Sequence, residues 1–274
     1  MDPRDIQAID VHAHYGVYFR EKAPPIANEF ASGDAATVVA RATQANIRTT
    51  IVSPLSGLLP RGGADSVAGN VEAARVVAET EGLLQWVIAN PWQPETFEQV
   101  DEMLAQPQCV GIKIHPEEHA YAIAEHGDAL FALAAKYSAI VLAHSGDPCS
   151  LPSDFVPFAD AYPEVRLILA HLGNGGGAAG DPTLQVRAIQ SCKRGNVFVD
   201  TSSARSIMPG LVEWAVREIR SERILLGTDT PLYSTAMQRA RIDSADLDLE
   251  DKRRILCENA ERMFGTVLSA GTKC

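Results

Sequence analysis

The sequence predicts an α/β chain whose β/α units close into a single (β/α)8 TIM barrel, and three observations carry that prediction. Eight short apolar runs recur along the 274 residues, at 6–11, 47–52, 83–89, 109–114, 139–143, 165–170, 196–199 and 223–226. Most are followed by a segment with helix-start chemistry, joined by short connections, the pattern of parallel strands with right-handed crossovers. The runs are apolar nearly throughout rather than alternating, as expected of strands buried on both faces. An open doubly wound sheet normally uses fewer strands, about five to seven. A barrel needs about 250 residues, and no Ser/Gly-rich linker divides residues 1–274, so one domain is expected.

The helical segments follow in order. Asp34 caps one running to about residue 46, and Asp65 heads the next, through 73–78. Pro94-Glu95 supplies a first-turn proline and an acid near the positive helix end. Segments 128–136, 154–162, 182–192 and 209–219 give four more, and the last, 249–264, stops before Gly265, a left-handed cap. The stretch 15–30, with Pro24-Pro25, reads as a long loop able to act as a lid.

Composition narrows the function classes. A hydrophobic content of 46% supplies a large core, and no apolar run approaches the length of a membrane span. The opening Met-Asp-Pro-Arg-Asp does not read as a signal peptide. The five cysteines are scattered without a CxxC pair, so a reduced, cytoplasmic setting is expected rather than a disulfide framework. A net charge of −11 argues against nucleic acid as a partner.

The chemistry gathers where a barrel keeps its active site, at the C-terminal ends of the strands. His12 and His14 close the first run, two apart and so on one face of a strand. His115 closes the fourth, His144 the fifth and His171 the sixth, while Asp229 follows the eighth. The other two histidines, His119 and His126, read as surface residues. Three imidazoles and a carboxylate suit zinc with room for a water, whose pKa the metal lowers toward about 7. Asp229 is then the proton acceptor, and His171 orients the water or stabilises an oxyanion.

The ordered motifs resemble the amidohydrolase superfamily, in its amidohydrolase-2 branch. They are Ile9-Asp10-Val11-His12-Ala13-His14, Gly111-Ile112-Lys113-Ile114-His115-Pro116, Leu142-Ala143-His144-Ser145-Gly146 and Leu169-Ala170-His171-Leu172-Gly173. Val199-Asp200-Thr201-Ser202, Leu226-Gly227-Thr228-Asp229-Thr230-Pro231 and the closing Glu258–Gly265 segment continue the likeness. The resemblance implies that His12, His14 and His144 are metal ligands and that Asp229 is both a ligand and a proton shuttle. It implies that His171 lies near the reacting group or holds a second metal. Lys113 and His115 share a face; either they contact substrate or a carboxylated Lys113 bridges two metals. A third reading has Lys113 ion-paired inside the barrel with Asp10 or Asp200.

Other features have plainer readings. Gly173-Asn174-Gly175-Gly176-Gly177 lacks the Lys-Ser/Thr of a phosphate loop and reads as a flexible loop near the site. Arg20 and Lys22 are solvated or meet a substrate carboxylate; Trp86 packs in the core and Trp92 walls a pocket. Ser145, Ser202 and Ser203 are hydrogen-bonders at the rim, and no GxSxG elbow supports a serine hydrolase.

The leading expectation is a metal-dependent hydrolase of a small amide, lactone or related carbonyl compound. The alternative is a non-oxidative decarboxylase of a small aromatic or unsaturated acid, and the third reading is a barrel kept as a metal-binding scaffold. The expected cofactor is a divalent metal, zinc first, with one ion favoured over two. The expected partners are a small-molecule substrate and a second copy of the chain, with neither nucleic acid nor membrane.

Overall fold

The computed structural model describes residues 2–203 and 207–268. Eight parallel strands are joined in sequence order: β1 (Ala8–Tyr15), β2 (Ile47–Pro54), β3 (Leu83–Ile88), β4 (Cys109–Ile114), β5 (Ile140–Ala143), β6 (Arg166–Leu169), β7 (Val197–Asp200) and β8 (Ile224–Leu225). Beyond β8, chain hydrogen bonds close the ring onto β1: Val11 N–H to Leu226 O at 2.9 Å, Asp229 N–H to His12 O at 2.8 Å, and His14 N–H to Thr230 O at 2.7 Å. The (β/α)8 barrel is therefore the observed architecture.

The expected helices form as α2 (Ala35–Gln44), α3 (Ser66–Glu79), α4 (Glu95–Met103), α6 (Ile123–Ala135), α7 (Pro152–Ala161), α8 (Leu184–Ser191) and α9 (Leu211–Ile219). Asp34 and Asp65 cap as expected, accepting from Thr37 N–H at 2.8 Å and Ala68 N–H at 2.9 Å. The closing segment splits into α11 (Leu249–Arg253), a π-helical turn (Arg254–Glu258) and α12 (Asn259–Phe264), followed by Gly265 at φ 60°.

Three helices escaped the sequence reading because each is short or has weak apolar periodicity: α1 (Pro25–Phe30), α5 (Pro116–His119) and α10 (Thr235–Asp243). The segment after β1 is thus only partly a loop.

Strand β1 also continues past the apolar run ending at Val11, and all eight of its residues are buried. His12 and His14 lie within this strand, as their two-residue spacing predicts, and the strand runs one residue further, to Tyr15. Among the described residues the core forms four hydrophobic clusters, and the largest holds Trp86, fully buried as expected, with its indole N–H donating to Val11 O at 2.9 Å.

Candidate metal centre

Side chains from β1 and the segment after β8 meet at the C-terminal end of the barrel. One ligand atom from each of His12, His14 and Asp229 lies within 4.8 Å of the others, and all three residues are buried. His12 Nδ1 is 2.9 Å from Asp200 Oδ2, and a carboxylate only accepts, so the neutral ring carries its proton there. Its Nε2 then holds a lone pair directed to the cluster, 3.7 Å from Asp229 Oδ1. His14 repeats the arrangement: Nδ1 faces the carbonyl oxygen of Ser53 at 3.1 Å and its hydroxyl at 3.0 Å, while Nε2 is 3.2 Å from Asp229 Oδ1. Three electron-pair donors thus converge with the second ring nitrogens anchored, the arrangement of a divalent-cation site with its supporting contacts. This donor set fits a metal ion.

Electrostatics agree. Burial, followed by the field of Lys113, holds the His12 pKa well below its ordinary value and keeps the ring neutral. Burial disfavours charge on Asp229, but contact with His14 and the fields of His171 and His12 outweigh it and hold the pKa down at about 2. Backbone geometry marks the same places, because Asp229 and His171 have φ of 55° and 73°, a left-handed conformation uncommon for such residues.

Behind the three donors lies a second convergence of His12, His171 and Asp200. Ser202 Oγ ties it together, 3.0 Å from His12 Nδ1 and 2.8 Å from His171 Nδ1, and it also donates to Asp200. Asp10 supports the strand from below, accepting from His12 N–H at 3.1 Å and from the Thr228 hydroxyl at 2.5 Å. Its burial raises the Asp10 pKa to about 7.

Lys113 is fully buried with Nζ 2.9 Å from His12 Nε2, so it meets the cluster directly. Burial lowers its pKa to about 8, opposed by Asp229 and Asp200. Among the described residues it forms no ion pair with Asp10, whose carboxylate is taken by the β1 backbone and Thr228. His115 accepts from Glu118 N–H at 3.2 Å, which caps α5, and its ring stacks on His144 at 4.2 Å. His144 is outside the three-donor group: its Nδ1 is 2.9 Å from His171 Nε2 and its Nε2 is 2.6 Å from Asp147 Oδ2. That hydrogen bond, more than any other influence, holds the Asp147 carboxyl below its ordinary range.

A cavity of about 250 Å³ opens above these groups. His14, His115, His144, His171 and Asp229 line its polar side, while Leu55, Leu58, Leu59 and Leu232 with Tyr18 and Tyr233 form the other wall. Arg20 lines it too, paired with Glu118, whereas Lys22 is exposed. Trp92 is not a wall residue: it is 58% exposed and packs on His126. His119 is not on the surface as expected; it is buried with Nε2 3.0 Å from Gly57 O, and burial drags its pKa to about 4. The sequence reading missed Asp147 and Glu118. For Asp147 the one available signal was an acid three residues after a site histidine.

The fold and the converging donors define a (β/α)8 barrel with a candidate divalent-metal centre at the C-terminal ends of its strands. The amidohydrolase family model, of the amidohydrolase-2 type, matches residues 9–266. The chain belongs to the amidohydrolase family. Similar solved structures include 2,6-dihydroxybenzoate decarboxylase from Rhizobium, at 14% identity and TM-score 0.72, covering 94% of this chain and 98% of that one. The 5-carboxyvanillate decarboxylase of Sphingomonas paucimobilis has 13% identity and TM-score 0.71, with 95% and 99% covered. A dihydroxybenzoic acid decarboxylase from Polaromonas, solved with manganese and the inhibitor 2-nitroresorcinol, has 16% identity and TM-score 0.70, with 95% and 97% covered. No curated protein matches the sequence.

Proposed function

We propose that this protein is a metal-dependent, non-oxidative decarboxylase of a small aromatic or unsaturated carboxylic acid. The observation that carries the reading is the juxtaposition of the His12/His14/Asp229 donors with a leucine- and tyrosine-walled cavity of about 250 Å³. That volume lies below the usual range for drug-sized ligands, about 300–1,000 Å³, and suits a small substrate. Structural likeness to decarboxylases of dihydroxybenzoates and 5-carboxyvanillate supports the same reaction class.

His12, His14 and Asp229 are the proposed metal-binding residues. A divalent ion there, zinc or the manganese seen in a similar structure, would fix a substrate oxygen and draw electron density from the breaking bond. The leucine wall holds the apolar body of the substrate and limits water at the reacting carbon. His171, which lines the cavity, is the proposed proton donor to the carbon that loses CO2. Burial, then the field of His144, holds its pKa well below the ordinary value, so the resting ring is neutral and takes up a proton from solvent before it donates. The C–C bond breaks, CO2 leaves, and the proton from His171 completes the new C–H bond.

Hydrolysis is the second reading, favoured by the ionised Asp229 beside the donors, which can take a proton from water. The test is a panel of hydroxybenzoates, unsaturated acids, lactones and amides, assayed with Zn2+ and Mn2+ in D2O and in H2(18)O. Decarboxylation predicts CO2 release, deuterium at the vacated carbon and no 18O in the organic product. Turnover of a lactone or amide with 18O incorporation, and none of the acids, would overturn it.

A further inference from the structure

We propose that Glu118 decides how much negative charge the cavity admits, by withholding Arg20 from the substrate, so that the site takes acids with one carboxylate and rejects diacids. The inference rests on the small-acid reading above and adds a specificity-determining residue to it. Among the described residues that line the cavity, Arg20 is the one lysine or arginine, and Glu118, Asp147 and Asp229 are the acids. The Arg20 guanidinium meets Glu118 with both terminal nitrogens: Nη1 donates to Oε2 at 3.0 Å and Nη2 donates to Oε1. A fork on a carboxylate is the strong form of this ion pair, and it is also how a guanidinium would take a carboxylate of the substrate. Glu118 and a second substrate carboxylate therefore compete for one group.

Both partners are fixed by contacts of their own. The Glu118 side chain is only 8% exposed, its backbone N–H donates to His115 Nδ1 at 3.2 Å, and its carbonyl accepts from Gly62 N–H at 2.7 Å. Arg61 donates to the same carboxylate from Nη2 at 3.2 Å and turns its Nη1 to Glu117 at 2.7 Å. Arg20 belongs to the segment after β1, whose ends are joined by Gly16 N–H to Gly33 O at 2.7 Å and by Gly33 N–H to Gly16 O at 3.0 Å. Within that segment Arg20 N–H donates to Asn28 Oδ1 at 3.0 Å, and Asn28 Nδ2 donates to Arg20 O at 3.2 Å. The guanidinium carbon lies 5.1 Å from the centroid of the Tyr18 ring. A substrate anion that drew Arg20 away would leave a nearly buried carboxylate with the shared Arg61 alone, and would itself face the acids of the cavity. The arrangement favours a substrate with a single acid group at the metal centre and an uncharged body toward Arg20.

The test uses the whole purified protein with Zn2+ added, the variant Glu118→Gln and the double variant Glu118→Gln/Arg20→Met, each verified as folded by circular dichroism. Benzoate is compared by calorimetry with isophthalate and terephthalate, which carry one more carboxylate. Wild type is expected to bind benzoate at least about tenfold more tightly than either diacid, and Glu118→Gln to shift that ratio toward a diacid by about tenfold or more. The double variant, which lacks the guanidinium, is expected to lose the shift. A second readout needs no bound acid: modification of Arg20 by phenylglyoxal, followed by peptide mass spectrometry, is expected to be slow in wild type and faster in Glu118→Gln. Wild type that prefers a diacid, a ratio unchanged in Glu118→Gln, or a shift that survives in the double variant overturns the inference. Should none of the acids bind wild type, the small-acid reading fails on its own. Faster modification in Glu118→Gln then still supports the withholding of Arg20 by Glu118, and equal rates overturn it.

Discussion

Replacing Lys113 with methionine should tighten divalent-metal binding, and the structure sets the size of the effect. The side chain is fully buried, and its Nζ lies 2.9 Å from the same His12 Nε2 lone pair that an ion requires. Coordination must therefore break a hydrogen bond to a charged donor, worth about 1.5–3 kcal/mol. At about 1.4 kcal/mol per tenfold, removal of the competitor raises affinity by roughly tenfold to a hundredfold.

Two further effects have the same sign. Methionine removes a positive charge that repels the incoming ion, and it leaves Asp200 and Asp229 less compensated. Because it leaves buried carboxylates without their cation, the metal-free variant should be less stable, by up to about 3–5 kcal/mol, so binding is measured well below its melting temperature. The assay is Zn2+ and Mn2+ titration of wild type and Lys113→Met by calorimetry, with thermal melts of the metal-free proteins as control. Unchanged or weaker binding would refute the competition argument and return Lys113 to the role of a ligand, as in a carboxylated bridging lysine.

Three other outcomes are expected. Adding Zn2+ or Mn2+ to chelator-treated protein at about a hundred times its Kd should raise stability by about 2.7 kcal/mol, read as a higher Tm that His12→Ala abolishes. Trp86→Phe should destabilise by about 1–3 kcal/mol in urea unfolding, because it removes the buried indole bond to Val11 O. Asp34→Ala should cost about 1 kcal/mol through the lost N-cap. Hydrogen bonding to Thr37 lowers the Asp34 pKa on folding, so its contribution is complete above the unfolded value and lost as pH falls through the folded one. The difference between wild type and Asp34→Ala should therefore shrink in acid melts.

The repeat of apolar runs made the barrel legible, since strands buried on both faces carry near-continuous apolar sequence whatever their neighbours. His12 and His14 were equally legible, because strand geometry alone puts residues two apart on one face. The limits of that local logic appear at the end of β1, which runs one residue past His14, to Tyr15. They appear again at His119, whose loop position suggested solvent although its Nε2 is buried against Gly57 O.

What the sequence by itself determined was the architecture and which residues reach the C-terminal ends of the strands. Only the tertiary structure decided their partners. Lys113 was recognisable as an inward-facing lysine, but its contact with His12 Nε2 depends on how β4 and β1 face each other across the barrel. Asp147 was one acid among many until folding set it against His144 and packed Gly176 and Gly177 around it. The physical reason is range. Strand periodicity is fixed within a few residues, whereas the lone pair of an imidazole is directed by whichever acceptor the rest of the chain brings to its other nitrogen.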